Sequence, residues 1–274
     1  MQKDWHQATI KITDGIELFY TRTGKGEKPP IVLAHGITDN GLCWHQFASE
    51  LEDNYDLIMY DEYGHGKSSR VDAEKRFDLS ENLFDLIKAL KLEKPCVIGH
   101  SMGAATTAVF AAKHPDSVST IILEDPPWSD RRVTKEDLSA TMVGWKEKHL
   151  KYSKLSEKEL IKRNKKRNPD WEEAILKEWA QAKLEMDPAF FDQFPIRPVN
   201  WTTLVKDIQV PTLIVTGDND EGAIVTPKLG LKAVTLLKNG EFGHISSAGH
   251  CVRYAQFRPY VTMIKVFLKR NFQS

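Results

Sequence analysis

The side chain best placed for nucleophilic chemistry in this chain is Ser101, within Gly99-His100-Ser101-Met102-Gly103. The pentapeptide fits G-x-S-x-G and stands between the two elements that pattern requires. Lys94-Pro95-Cys96-Val97-Ile98 reads as a short buried strand, and Ala104 to His114, small and apolar, reads as a packed helix. A serine at so sharp a strand-to-helix turn is pushed out of the sheet with its hydroxyl exposed. The flanking glycines let the backbone turn and the helix approach closely.

A serine hydroxyl is barely ionised at neutral pH, so attack on a carbonyl needs a base within hydrogen-bond reach. Histidine suits that task, with an unperturbed pKa of about 6.5, and a carboxylate must then hold the ring in one tautomer and stabilise the imidazolium that forms. Nine histidines compete for the role. His250 is preferred, because Gly249 frees the backbone before it and it follows the last predicted strand. His244 falls inside that strand and is read as structural; His35 and His100 shape their turns, and His65 braces a loop between glycines.

These groups must be positioned by a sheet. Ala8–Ile12 and Ile16–Tyr20 alternate around Asp14-Gly15, the pattern of a hairpin at a sheet edge. The run Ile31–Ala34 is continuously apolar, as a strand buried on both faces reads, and Asp56–Tyr60, Val118–Leu123 and Val210–Thr216 are the further strands of the sheet. Between the early strands, the spacings of Trp44, Phe47, Ala48 and Leu51, and of Leu79, Leu83, Leu86, Ile87 and Leu90, predict helices. Strand and helix in strict alternation mean a parallel sheet with right-handed crossovers.

The alternation stops at Glu124-Asp125-Pro126-Pro127-Trp128 and resumes near 206. In between, the chain reads as helix after helix, with a capping box at Ser156 to Glu159. This divides the chain into an α/β core of residues 1–127 and 206–274 and a helical cap insertion of residues 128–205 packed over one end of the sheet. The last strand is predicted near Glu241 to Ser247 and the closing helix from about Pro259. Trp128, Trp145, Trp171, Trp179 and Trp201 in or beside the insertion suggest an apolar pocket, although the spacing of Trp171 and Trp179 marks them first as packing residues.

With this order in view, the chain resembles the α/β-hydrolase family over nearly its whole length. The resemblance is carried by His35-Gly36, Asp61 to Ser68, Gly99 to Gly103, Gly217 to Asp220 and Gly249-His250, each at a predicted strand end or in the loop beyond one. It implies a mostly parallel eight-stranded sheet with helices on both faces and the chain order serine, acid, histidine. It also implies backbone N–H donors at Ile37 and Met102 for the carbonyl oxygen as it gains charge. It puts the acid at Asp220, three residues after Gly217. Some members carry it after the strand that follows the nucleophile helix, where Asp125 stands; the long loop before Pro227 also leaves Asp218 open.

Ser101, His250 and an acid, first Asp220 and alternatively Asp125, then predict a cofactor-independent serine hydrolase. It would act on an ester, lactone or thioester of a small, largely apolar molecule through an acyl-enzyme. Carbon–carbon bond hydrolysis on the same fold, or ligand binding and signalling on a hydrolase scaffold with slow turnover, are the alternatives. A dehalogenase is disfavoured, because its nucleophile would be aspartate.

Composition excludes other classes. The 38 basic residues balance 38 acidic ones, which argues against a nucleic-acid partner, and the run Lys162 to Arg167 reads as the solvated face of a helix. Cys43, Cys96 and Cys251 are few, far apart and without metal-ligand spacing, which fits a reducing compartment and no metal. Met1 to His6 has no apolar leader and no stretch is long enough to span a bilayer. The expectation is a cytoplasmic monomer or homodimer, off the membrane, whose partner is a small-molecule substrate.

Overall fold

The computed structural model describes residues 5–272. Most of the Met1–His6 stretch read for a leader lies outside them. Strands β1 (His6–Lys11) and β2 (Glu17–Arg22) form the antiparallel edge hairpin, with Asp14 and Gly15 at positive φ in the turn between them. Then come β3 (Pro30–Ala34), α1 (His45–Leu51), β4 (Asp56–Tyr60), α2 (Leu79–Ala89), β5 (Cys96–His100), α3 (Met102–Lys113) and β6 (Thr120–Glu124). The helices α4 (Lys135–Tyr152), α5 (Glu157–Arg167), α6 (Glu173–Glu185), α7 (Ala189–Gln193) and α8 (Trp201–Asp207) follow with no strand among them. The chain closes with β7 (Thr212–Thr216), α9 (Pro227–Leu236), β8 (Gly240–His244), α10 (Val252–Ala255) and α11 (Phe257–Asn271).

The eight strands form one sheet in the order β1-β2-β4-β3-β5-β6-β7-β8, parallel from β4 to β8. The continuous apolar runs are explained by burial on both faces. Val32, Ile58, Val97, Ile121 and Ile214 pack on the side of α2, α3 and α9. Their neighbours Ile31, Leu57, Ile98, Ile122 and Leu213 pack on the side of α1 and α11.

Most element ends lie within about two residues of the sequence expectation, and the last strand and the closing helix also differ in their bounds. β8 ends at His244 rather than Ser247, because residues 245–250 leave the ladder to form a loop; α11 starts two residues before Pro259, with the proline in its first turn. In the helical segment, Ser156 and Glu159 form the capping box in both directions. The basic residues of α5 are exposed, with Asn164 the one buried residue of the run. Among the described residues no helix is long and apolar enough to cross a membrane.

Candidate active site

β5 and α3 meet at Ser101, whose backbone has φ +53° and ψ −114°. That conformation is strained for a residue with a side chain and is the kind of local cost found at functional sites. It persists because the surroundings leave no slack. A Cβ on Gly99 would lie 2.3 Å from the Gly103 carbonyl oxygen, and one on Gly103 would lie 2.3 Å from that of Ala34. The Ser101 N–H donates to the Glu124 carbonyl at 2.9 Å, tying the turn to the end of β6.

Asp125, the next residue, turns out of β6 at φ +43° and is fully buried. Its Oδ2 lies 2.6 Å from His250 Nδ1 and accepts from the Ile224 N–H at 2.8 Å. Its Oδ1 accepts from the Val225 N–H at 2.9 Å and the Thr216 hydroxyl at 3.0 Å. The expectation that Asp220 would meet His250 is therefore corrected: Asp220 lies in a short 3-10 turn, exposed, and the carboxylate on the histidine is that of Asp125. The physical reason lies in the loop after β7. Its backbone turns two N–H groups inward as donors to Asp125 rather than sending a carboxylate of its own. Asp218 has another task, accepting from the Ser247 N–H at 2.7 Å and pairing with His244 Nε2 at 2.8 Å, which fastens the His250 loop to β7.

Behind this pair lies a buried ion pair that sequence reasoning missed. Arg253, three residues after His250, donates from Nη1 to Glu124 Oε2 at 2.8 Å and from its backbone N–H to Glu124 Oε1 at 3.0 Å. Its guanidinium also stands 4.1 Å from the centre of the Trp44 ring. The strand end bearing Asp125 and the loop bearing His250 are thus joined twice. His100, the last residue of β5, ties the same loop to the neighbouring strand, its Nε2 lying 3.0 Å from the His250 carbonyl oxygen; burial, then the charges of Arg253 and His250, press that ring well below the ordinary histidine range. It is therefore neutral at physiological pH, which leaves Nε2–H to donate to the carbonyl.

The loop after β3 passes over the same place. Met102 opens α3, so its N–H has no acceptor within the helix. Ile37 is held by its carbonyl, which accepts from His65 Nε2 at 2.8 Å. The following residues are gripped by Lys183 of α6, whose Nζ donates to the Thr38 carbonyl at 2.6 Å and to Asp39 Oδ1 at 2.7 Å. Burial alone would raise the Asp39 carboxyl; the Lys183 ammonium outweighs it and holds the group well below the usual carboxylate range. Lys183 is buried, so nothing in hydrophobic periodicity distinguishes it from the solvated lysines around it.

Ser101 and His250 line one cavity of about 710 Å³, together with Gly36, Ile37 and His100 on the core side. Its opposite wall comes from the helical segment. Trp145, Trp171 and Trp179 contribute, while Trp171 also packs on Tyr254 and Trp179 on Tyr152. Trp128 and Trp201 instead stack on each other at 5.4 Å outside the lining. Among the described residues no group of three or more histidine, cysteine or carboxylate side chains is arranged to hold a metal ion.

Residues 29–254 match the family model described as the alpha/beta hydrolase fold. The chain belongs to the α/β-hydrolase family. It is 27% identical over 251 residues to the non-heme chloroperoxidase CPO-A1 of Kitasatospora aureofaciens, covering 86% of this chain and 90% of that protein. It is 24% identical over 247 residues to the bifunctional esterase/perhydrolase DCH of Acinetobacter calcoaceticus, covering 85% and 88%. The crystal structure of E-2-(acetamidomethylene)succinate hydrolase superposes with a TM-score of 0.81 at 22% identity, over 97% of this chain and 99% of that one.

Within this α/β-hydrolase the residues singled out by sequence fall into two sets. Ser101, His250, Asp125, Ile37 and Met102 converge on one end of the sheet. Asp220 and Asp218 do not reach His250. The signal for Asp125 was present in Glu124-Asp125 at a strand end and in the hydroxyl of Thr216 at the neighbouring one; Arg253 and Lys183 gave none.

Proposed function

We propose that this α/β-hydrolase is a serine hydrolase that cleaves an ester, lactone or thioester of a small molecule through Ser101, His250 and Asp125. The observation that carries the reading is the 2.6 Å approach of His250 Nδ1 to Asp125 beside the cavity that Ser101 lines. Asp125 fixes the tautomer with the proton on Nδ1, leaving Nε2 free to accept the Ser101 proton. Ser101 Oγ then bonds to the carbonyl carbon, and the carbonyl π-electrons move to oxygen. The Met102 and Ile37 N–H groups serve as the oxyanion hole for that oxygen, and losing one such donor elsewhere costs on the order of 10²–10³-fold in rate. The tetrahedral adduct collapses, the leaving alkoxide or thiolate takes the proton from His250, and the acyl group stays on Ser101. Water, deprotonated by the same nitrogen, adds to the acyl carbon and releases the acid and free Ser101.

The helical segment acts as a cap over the site, with Trp145, Trp171 and Trp179 supplying an apolar wall for the substrate body. The test combines a fluorophosphonate, short-chain p-nitrophenyl esters and a vinylogous 1,5-diketone that scores carbon–carbon cleavage. Labelling at Ser101 and ester turnover are expected. Loss of both in Ser101→Ala, by about 10⁶ in kcat, completes the case. No labelling and no ester turnover in the wild type would refute it.

A further inference from the structure

The cap wall of the cavity carries charge as well as aromatic rings. Lys148 of α4 and Arg167 at the end of α5 both line it, and Arg163 lies one turn back on α5. All three gather around Tyr152. The Lys148 ammonium stands 6.0 Å and the Arg163 guanidinium 5.5 Å from its ring centre, and Arg167 Nη1 donates to its hydroxyl at 3.3 Å. Elsewhere in the segment Lys146 pairs with Asp192 and Lys183 with Asp39. Lys148, Arg163 and Arg167 have no carboxylate within ion-pair distance among the described residues.

The cavity as a whole is balanced, since Asp39, Asp170 and Glu221 also line it, and what matters is which charges share a neighbourhood. Asp39 is already neutralised by Lys183. Around Lys148 the charges are of one sign: burial first, and then Arg167, Lys183 and Arg163, lower its ammonium below the ordinary lysine range, with the Tyr152 phenol opposing. A second observation is independent of charge. Asn164 is 5% exposed and lines the same wall; its Oδ1 accepts from Asn168 at 2.8 Å, while its buried Nδ2 has no acceptor. A buried donor left in that state is costly until a water or a ligand oxygen supplies the acceptor.

We propose that Lys148, Arg167 and Asn164 form a subsite for a carboxylate carried by the substrate, so that the preferred substrate is an anionic ester whose body lies along Trp145, Trp171 and Trp179. A carboxylate presents two acceptor oxygens and one negative charge, the complement of an amide N–H beside an ammonium and a guanidinium. This deepens the serine-hydrolase reading and rests on it for the reaction, though not for the binding.

Two measurements separate the two claims. In the first, p-nitrophenyl hydrogen glutarate is compared with p-nitrophenyl pentanoate, which has the same reach without the charge. The anionic ester is expected to have kcat/KM higher by about tenfold or more, expressed in KM and weakened by added salt. The ratio is expected to fall to about one in the Lys148→Gln/Arg167→Gln variant. Equal or faster hydrolysis of pentanoate by the wild type overturns the subsite and leaves the serine hydrolase standing. In the second, tryptophan fluorescence is titrated with isophthalate and with isophthalamide. Saturable quenching by the dianion alone, lost in the double variant, supports the subsite even if neither ester is turned over, an outcome that would sink only the reaction. Equal response to the two compounds, or a response unchanged in the variant, overturns the subsite.

Discussion

Arg253 and Glu124 are joined in the core by two hydrogen bonds, one from the guanidinium at 2.8 Å and one from the backbone at 3.0 Å, and both side chains are almost wholly excluded from water. One residue beyond Glu124 is Asp125, and three before Arg253 is His250. Removing one partner of such a pair leaves an uncompensated buried charge, at a cost of about 3–5 kcal/mol. Glu124→Gln and Arg253→Met are each expected to lower stability by that order in urea denaturation. The double variant should lose clearly less than the sum of the two.

The choice between acids has a sharp kinetic consequence. Asp125→Asn keeps the shape but holds His250 in the wrong tautomer, and it is expected to lower kcat on a p-nitrophenyl ester by on the order of 10⁴-fold. Asp220→Asn changes an exposed turn residue and should leave kcat within about twofold. A large loss in Asp220→Asn with little loss in Asp125→Asn would reverse the assignment.

Gly103 reverses an ordinary rule. Alanine for glycine inside a helix usually stabilises by about 1 kcal/mol. Here the added Cβ would stand 2.3 Å from the Ala34 carbonyl oxygen and 2.7 Å from that of His35. Backbone atoms of β3 cannot yield cheaply, so Gly103→Ala is expected to destabilise by about 1–3 kcal/mol, read as a lower thermal midpoint. Activity should fall with it, because the shift displaces the loop bearing Ile37.

His35 provides a pH signature. Its Nδ1 lies 2.8 Å from the Gly36 carbonyl oxygen and its Nε2 accepts from the Glu62 N–H at 3.0 Å, a pattern that only the neutral ring with its proton on Nδ1 satisfies. Burial, then the neighbouring His65, push its pKa down to about 3. The unfolded chain binds this proton near pH 6.5, so between that value and about 3 the unfolded state carries more protons and acidification destabilises the fold. Relative to His35→Gln, the wild type is expected to lose about 2 kcal/mol of stability between pH 7 and pH 5. Proton NMR of the His35 ring should show no titration in that interval.

The parallel core was legible because its strands are buried on both sides and therefore carry unbroken apolar stretches, as in Ile31–Ala34 and Leu213–Val215. The turn at Ser101 was legible because Gly99 and Gly103 leave backbone room that no other residue could. What was hidden depends on long-range pairing. Asp125 and Asp220 both follow strand ends, and only the path of residues 218–225 decides which of them faces His250. Lys183 and Arg253 are charged residues on helices, and periodicity assigns such residues to solvent; their burial is made tolerable by Asp39 and Glu124, partners far away in the chain.

The register that sets His100 opposite Glu124 means that Ser101 and Asp125 leave the sheet from adjacent central strands, whereas His250 is delivered by the loop beyond β8, the outermost and least buried parallel strand. Loosening would start at that margin. A molecule frayed there would keep Ser101 and Asp125 in place and lose only His250, so under the proposed mechanism heat would silence it while most of its backbone amides were still protected from exchange. Cooling would restore it without the chain having to find its topology again.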